Sequence, residues 1–197
     1  MDLNIVILAF ISLLYKANGA VYELSVADEE IFRSCPNPEP GTLDIHGFLD
    51  LSEFSTSMNA NGLTVSGNQT LVWDIQRKDR IQVSIKLLYL ERGTWTSTVF
   101  SLFMRDFCKT MYDKNQILYD SWTGHIVNGD KDKCVNVPGT KFILKTYVLS
   151  LTSSISAPLR EGRYKANVMG RAFDSTGTER PTRICCEIVG DVFKIKN

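Results

Sequence analysis

The sequence predicts a mainly β fold, an antiparallel β-sandwich or cup with one or two short helices inserted after the central strands. Three observations carry this prediction. Apolar and polar residues alternate with a period of two in several runs, which is typical of half-buried strands. Turn-forming pairs such as Asn61-Gly62 and Arg92-Gly93 separate the runs. One stretch, by contrast, has its apolar residues at helical spacing.

The strands are predicted from this alternation and from their β-branched and aromatic content. In the clearest run, residues 81–89, apolar side chains alternate with Gln82, Ser84 and Lys86. A second alternation covers residues 43–52, where Gly47 is expected to mark a bulge. Further strands are expected over residues 63–75, 95–100, 142–151, 164–173 and 183–195. About seven or eight strands result, a number that suits a sandwich or cup.

The helical stretch follows the strand predicted over residues 95–100. Phe103, Phe107 and Met111 recur at helical spacing, which predicts a helix from about residue 102 to residue 114. Residues 117–126 contain Trp122 and His125 and are expected to form a second short helix, before a polar loop over residues 128–133.

The chain begins with a short apolar block, residues 5–14, that is followed by small residues. This pattern is typical of a secretory signal peptide, and Ala17 with Gly19 fits a small-x-small cleavage site. We therefore expect a signal peptide over residues 1–19 and a single domain over residues 20–197. A buried first strand is the alternative, because the first four residues carry an acid and no Lys or Arg. The block is too short to span a membrane, so a soluble, extracellular protein is expected.

Charge and composition limit the function classes. Lys plus Arg and Asp plus Glu each number 22, so the formal net charge is zero and no overall field would attract nucleic acid. The five cysteines include no C-x-x-C pair, and there are two histidines, a composition that favours disulfides over zinc. We expect no nucleic-acid partner, no metal and no cofactor.

No catalytic set can be assembled from the sequence. There is no G-x-S-x-G elbow, no Walker glycine run and no dinucleotide fingerprint. His46 and His125 are interpreted as surface or helix-edge residues. A calcium loop starting at Asp130 fails, because Cys134 falls at its fifth position and the sixth position is not a glycine. We therefore expect the protein not to be an enzyme.

The candidate ligand contacts are large aromatic and sulfur-containing side chains: Trp73, Phe100, Phe103, Phe107, Met111, Trp122 and Met169. Each can equally be core packing, since sequence alone does not distinguish a solid core from a cavity between two sheets. Asn68-Gln69-Thr70 is the sole glycosylation sequon, and in a secreted chain we expect it on the surface with Asn68 as the acceptor.

A series of short segments is spaced along nearly the whole chain after the predicted cleavage site: Tyr22-Glu23-Leu24, Asp28-Glu29-Glu30-Ile31-Phe32, Cys35, Val72-Trp73-Asp74-Ile75-Gln76, Asp106-Phe107-Cys108, Asp113-Lys114-Asn115-Gln116 and Cys134-Val135-Asn136-Val137-Pro138-Gly139. In their order and spacing the chain resembles the insect chemosensory protein A group. That group is thought to be related to the GM2-activator and MD-2-type lipid-recognition proteins, whose sandwich-like cup holds an acyl chain. Its members are linked to the perception of contact pheromones by taste hairs.

The resemblance implies that Cys108 pairs with Cys134 and that Cys35 pairs with the last strand. Alternation places Cys185 and Cys186 on opposite faces of that strand, so only one of them can meet Cys35. Which of the two is bridged stays open at this point. The remaining thiol is expected either to be buried or to link two chains.

Two function hypotheses follow. The first is a secreted binding protein for a hydrophobic small ligand, a lipid, hydrocarbon or pheromone, that acts as an accessory protein in contact chemosensation or pheromone response, with a membrane receptor as a candidate partner. The alternative is a secreted interaction module without a ligand cavity, which docks on a receptor or matrix protein through its loops. Its candidate surface is the segment of residues 115–133, in which Tyr119 and Trp122 lie beside polar residues.

Overall fold

The computed structural model describes residues 19–129 and 134–196. The predicted signal peptide, apart from Gly19, and the Asp130 segment lie outside the described residues. The described chain is mainly β, as predicted. Its strands are β1 (Ala20–Val26), β2 (Arg33–Ser34), β3 (Thr42–Leu43), β4 (Leu49–Asp50), β5 (Phe54–Asn59), β6 (Gly62–Leu71), β7 (Arg80–Glu91), β8 (Thr94–Met104), β9 (Lys141–Val148), β10 (Thr152–Ile155), β11 (Gly162–Phe173) and β12 (Glu179–Lys196).

The strands form two curled sheets. The larger sheet has the order β10-β1-β12-β11-β7-β8, and the short strands β2 and β3 also pair with β12. In the smaller sheet β6 is central: β4 and β5 pair with one of its edges and β9 with the other. All pairings between these strands are antiparallel except that of β3 with β12. The predicted antiparallel sandwich or cup is therefore confirmed.

The alternation in β7 decides which face of the larger sheet meets the interior. Ile81 and Val83 are buried, whereas Gln82, Ser84 and Lys86 point to the opposite face. The strand runs from Arg80 to Glu91, so the prediction over residues 81–89 is confirmed. Arg92 and Gly93 then form the predicted turn, and both have positive φ angles.

The alternation over residues 43–52 does not form one continuous strand, so that prediction is wrong. The chain forms only β3 and β4 there, separated by a 3-10 turn over Ile45–Gly47. Asp44 caps this turn, because its carboxylate accepts a hydrogen bond from the His46 backbone N–H. Gly47 packs so tightly that a Cβ there would lie 2.4 Å from the Cβ of Leu43. A local cap and a close approach therefore outweigh strand propensity.

The predicted helix over residues 102–114 is also wrong in its extent. Strand β8 continues to Met104, and the first helix covers only Phe107–Thr110. Phe103 is 60% exposed, whereas Phe107 and Met111 are buried. Of the three residues at helical spacing, the first belongs to a strand because it pairs with Ser84 of β7.

The second predicted helix is confirmed in the stretch of residues 117–126. It covers Ile117–Ser121 and is followed by a 3-10 turn over Thr123–His125. Both short helices lie in the connection between β8 and β9, as the predicted insertion after the central strands requires.

Two disulfides cross-link the chain. The strand disulfide joins Cys35 to Cys185, and the helix disulfide joins Cys108 to Cys134. Cys186 is free and buried. The sequence left open whether Cys185 or Cys186 meets Cys35, and the structure assigns the bond to Cys185, on the face of β12 that points away from the space between the sheets.

Candidate ligand-binding cavity

An apolar cavity of about 300 Å³ lies between the two sheets, at the lower end of the volumes usual for ligand pockets. Side chains of β7, β11 and β12 form its wall on the larger sheet. The smaller sheet and the second helix close the other side with Leu49, Phe54, Val65, Ile117, Leu118 and Tyr147. A close-packed core leaves few voids larger than a water molecule, so a space of this size can take a ligand.

Small residues on β11 make room for the cavity. Ala166 and Gly170 lie in its wall beside Val168. A Cβ at Gly170 would lie 3.6 Å from the Cβ of Ile184 and 4.0 Å from the Trp73 ring, which are ordinary contact distances. Glycine here leaves space and is not needed to avoid a clash.

Aromatic rings line one end of the cavity. Trp122 stacks on Phe107 with ring centroids 6.3 Å apart and planes 6° from parallel. The edges of Phe48 and Phe142 pack against the same indole at 73° and 75°. Such offset and edge-to-face pairs hold the rings in fixed orientations, so this end of the wall is preorganised.

The polar atoms of the wall are few, and most are engaged. Tyr147 donates its hydroxyl hydrogen to the Ser121 carbonyl oxygen over 2.9 Å, and the Ser121 hydroxyl donates to the Ile117 carbonyl over 2.8 Å. The Tyr22 oxygen accepts a hydrogen bond from the Leu159 N–H. Burial raises the pKa of Tyr147 well above its ordinary value, so its hydroxyl stays neutral.

No lining residue in the described part of the chain is Asp, Glu, Lys, Arg or His. An ionised group placed in such a cavity would lose its hydration without gaining a partner. The cavity therefore suits an uncharged, apolar ligand.

Three of the predicted contact residues line the cavity. Trp73, Phe107 and Trp122 are all in its wall, and each indole nitrogen has a partner. The Trp73 Nε1–H donates to the Thr182 hydroxyl oxygen over 3.0 Å, and the Trp122 Nε1–H donates to Gln69 Oε1 over 2.8 Å. These hydrogen bonds keep both tryptophans from rotating out of the wall.

The other four predicted contacts lie elsewhere. Phe103 and Met169 both pair with Ser84, on the outer face of the larger sheet. Met111 is 1% exposed and packs in the core without reaching the cavity. Phe100 packs at the edge of a second apolar cluster. Of the predicted contacts, the proposed site therefore contains Trp73, Phe107 and Trp122.

Sequence reasoning missed the aliphatic part of the wall. Val83, Ile85, Leu87 and Ile188 line the cavity, and alternation had already placed the first three on one face of β7. Large aromatic residues stand out in the sequence, whereas Ala166 contributes through its small size, which leaves room and gives no sequence signal.

The segment proposed as a docking surface is partly turned inward. Trp122 faces the cavity, and His125 stacks on the Tyr147 ring with centroids 3.6 Å apart. Val127, in the same segment, is 62% exposed and so still faces outward.

The predicted glycosylation site lies on the outer face of β6. There the Asn68 side chain donates to Glu53 Oε2 over 2.6 Å, and its glycosylation stays a prediction.

Comparisons with known proteins leave the family open. No family model matches the chain, and no curated protein matches it. Among solved structures, a Niemann-Pick type C2 protein from the Japanese carpenter ant is similar with a TM-score of 0.27 and 14% sequence identity, over 85% of this chain and 97% of that one. A likeness at that TM-score assigns neither a family nor a ligand.

Within residues 19–129 and 134–196, no helix has the length and apolar content to cross a membrane.

Proposed function

We propose that this protein is a secreted binding protein that holds a hydrophobic small ligand, such as a lipid, hydrocarbon or pheromone, between its two sheets. The cavity of about 300 Å³ with its uncharged apolar wall carries the proposal. An interaction module with a solid core has no need of such a space. No covalent step is required, and the described residues offer no group of three His, Cys, Asp or Glu side chains that could hold a metal.

Burial of the ligand supplies the binding free energy. Each methylene removed from water contributes roughly 0.8 kcal/mol, and the loss of translational and rotational freedom offsets part of the total. Affinity should therefore rise with chain length until the cavity is full and then stop rising. A surface that binds apolar compounds nonspecifically would show no such limit.

Secretion and the chemosensory role are the finer parts of the proposal. Two disulfides fit an oxidising compartment. The one free cysteine of the described chain, Cys186, is buried. The resemblance to the insect chemosensory protein A group supports a role as an accessory protein in contact chemosensation or pheromone response. In that role residues 20–197 form one domain that carries the ligand to a membrane receptor.

Native mass spectrometry of the protein secreted from insect cells tests the binding proposal. We expect a stoichiometric small molecule that organic extraction releases and that proves to be an apolar, uncharged compound. An empty protein that also refuses long-chain hydrocarbons and fluorescent lipid probes would overturn the proposal.

Tryptophan fluorescence locates the binding event. Trp122 lies in the cavity wall, whereas Trp95 lies on the outer face with its ring 4.9 Å from Lys165 Nζ. Because Trp73 also lines the cavity, we expect the double variant Trp73→Phe, Trp122→Phe to lose the ligand-induced change in emission and the matched control Trp95→Phe to retain it. The reverse pattern would place the ligand on the outer face.

A further inference from the structure

One polar side chain in the cavity wall retains unused hydrogen-bonding capacity. Gln69 is 3% exposed and lies on the inner face of β6, in line with the buried Leu63, Val65 and Leu71. It lines the cavity at the end where Trp122 packs. A buried amide at such a position needs partners for its oxygen and for its two N–H groups.

The hydrogen bond from Trp122 determines which end of the Gln69 amide is the oxygen and which is the NH2 group. The indole Nε1–H of Trp122 can only donate, so the amide atom that lies 2.8 Å from it has to be the oxygen. The NH2 group then points away from the indole. The bond from Trp122 is the one side-chain hydrogen bond of Gln69 among the described contacts, and the side chain that carries the NH2 group lines the cavity.

Neighbouring polar groups do not serve the Gln69 NH2 group. Ser121 and Tyr147 also line the cavity, but the hydrogen bonds of their hydroxyls are those donated to backbone carbonyls of the helical segment, and neither hydroxyl accepts one from Gln69 among the described contacts. Ser153 also lines the cavity but lies on β10 of the larger sheet. An unpaired amide donor in an apolar space is unfavourable, and a single acceptor atom placed there removes that cost.

We propose that the ligand carries an uncharged acceptor oxygen, as in a ketone, ester or alcohol, and that this oxygen accepts a hydrogen bond from the Gln69 NH2 group. The inference rests on the proposed function and narrows its ligand class from apolar compounds in general to oxygenated long-chain compounds. A carboxylate is disfavoured, because no cationic side chain of the described chain lines the cavity.

Paired ligands and a matched variant test this inference. The probes are a long-chain terminal alkene and a methyl ketone of equal chain length, each competing with a fluorescent apolar probe on lipid-depleted protein. The variant is made in a Trp122→Phe background, so that no indole N–H is freed to donate to the ketone. There we expect Gln69→Leu to weaken ketone binding about fivefold to thirtyfold relative to alkene binding, the loss that one hydrogen bond predicts. The control Gln82→Leu makes the same change on the outer face of β7 and should leave the ratio unaltered.

A second measurement needs no variant. In the wild-type protein, the side-chain NH2 resonance of Gln69 should shift on addition of the ketone and stay in place with the alkene. If both compounds bind but neither the ratio nor the resonance responds, the inference is wrong and the carrier proposal stands. If neither compound binds the wild-type protein, the carrier proposal itself fails.

Discussion

Enlarging Ala166 distinguishes a real cavity from a packed core by the sign of the stability change. Its side chain is nearly buried and faces the cavity from the middle of β11. Ala166→Leu adds three carbon atoms, and burial of each is worth about 0.8 kcal/mol. In empty space the variant should therefore stabilise the ligand-free protein by up to about 2 kcal/mol. In a close-packed core the same change would cost about 1–3 kcal/mol.

Ala172 provides the matched control on the same face of the same strand. It is 0% exposed, belongs to the packed core and does not line the cavity. Guanidinium unfolding of lipid-depleted protein measures both variants, and an unchanged m-value supports the comparison. We expect Ala166→Leu to raise the unfolding free energy and to weaken ligand binding, while Ala172→Leu lowers the unfolding free energy. Equal destabilisation by the two substitutions would refute the cavity.

Three further predictions concern the cross-links and charges. The strand and helix disulfides span sequence separations of 150 and 26 residues, so replacing each pair by serine should cost about 5 and 3.5 kcal/mol in the chain-entropy model. Removal of the helix disulfide should nevertheless weaken ligand binding more, as probe titration will show, because Phe107 and Val135 beside it line the cavity. Burial raises the pKa of the Cys186 thiol to about 12, so iodoacetamide should label it only after unfolding. Its folded pKa exceeds the unfolded value of about 8.5, so the unfolding free energy should fall as pH rises above that value, and Cys186→Ala should lack this slope. The Arg180 guanidinium lowers the pKa of Asp79 through two hydrogen bonds of 2.8 Å. The stability that this ion pair contributes is therefore present above about pH 4 and is lost as pH falls through the lowered pKa. Urea midpoints measured against pH should show a weaker acid dependence for Asp79→Asn than for the wild-type protein.

The sequence predicts the long strands well because each carries its own signal. In β7, apolar residues alternate with polar ones over the whole strand, and the structure follows that pattern from Arg80 to Glu91. The run over residues 43–52 has the same alternation but ends as a 3-10 turn. The difference lies in the contact of Gly47 with Leu43 and in the Asp44 cap, and period-two patterning does not report either of them.

The cavity itself could not be predicted, because alternation gives only the direction of a side chain. Val168 and Ala172 point to the same side of β11, yet the first faces the cavity and the second is fully packed. What separates them is whether the rest of the fold packs over the position. That packing is a property of contacts between segments far apart in sequence.

The outer face of the larger sheet explains why a larger side chain at position 166 has to enter the cavity. Behind that position Lys165 and Glu187 form an ion pair of 2.9 Å with side chains only 8% and 10% exposed. Asn167 donates to the Glu187 carboxylate over 3.3 Å and lies 3.4 Å from the sulfur of Cys35 in the strand disulfide. A buried pair with satisfied hydrogen bonds is costly to disturb, so this wall cannot yield outward. The free space on its inner side is then the one direction in which an added side chain, or a ligand, can be accommodated.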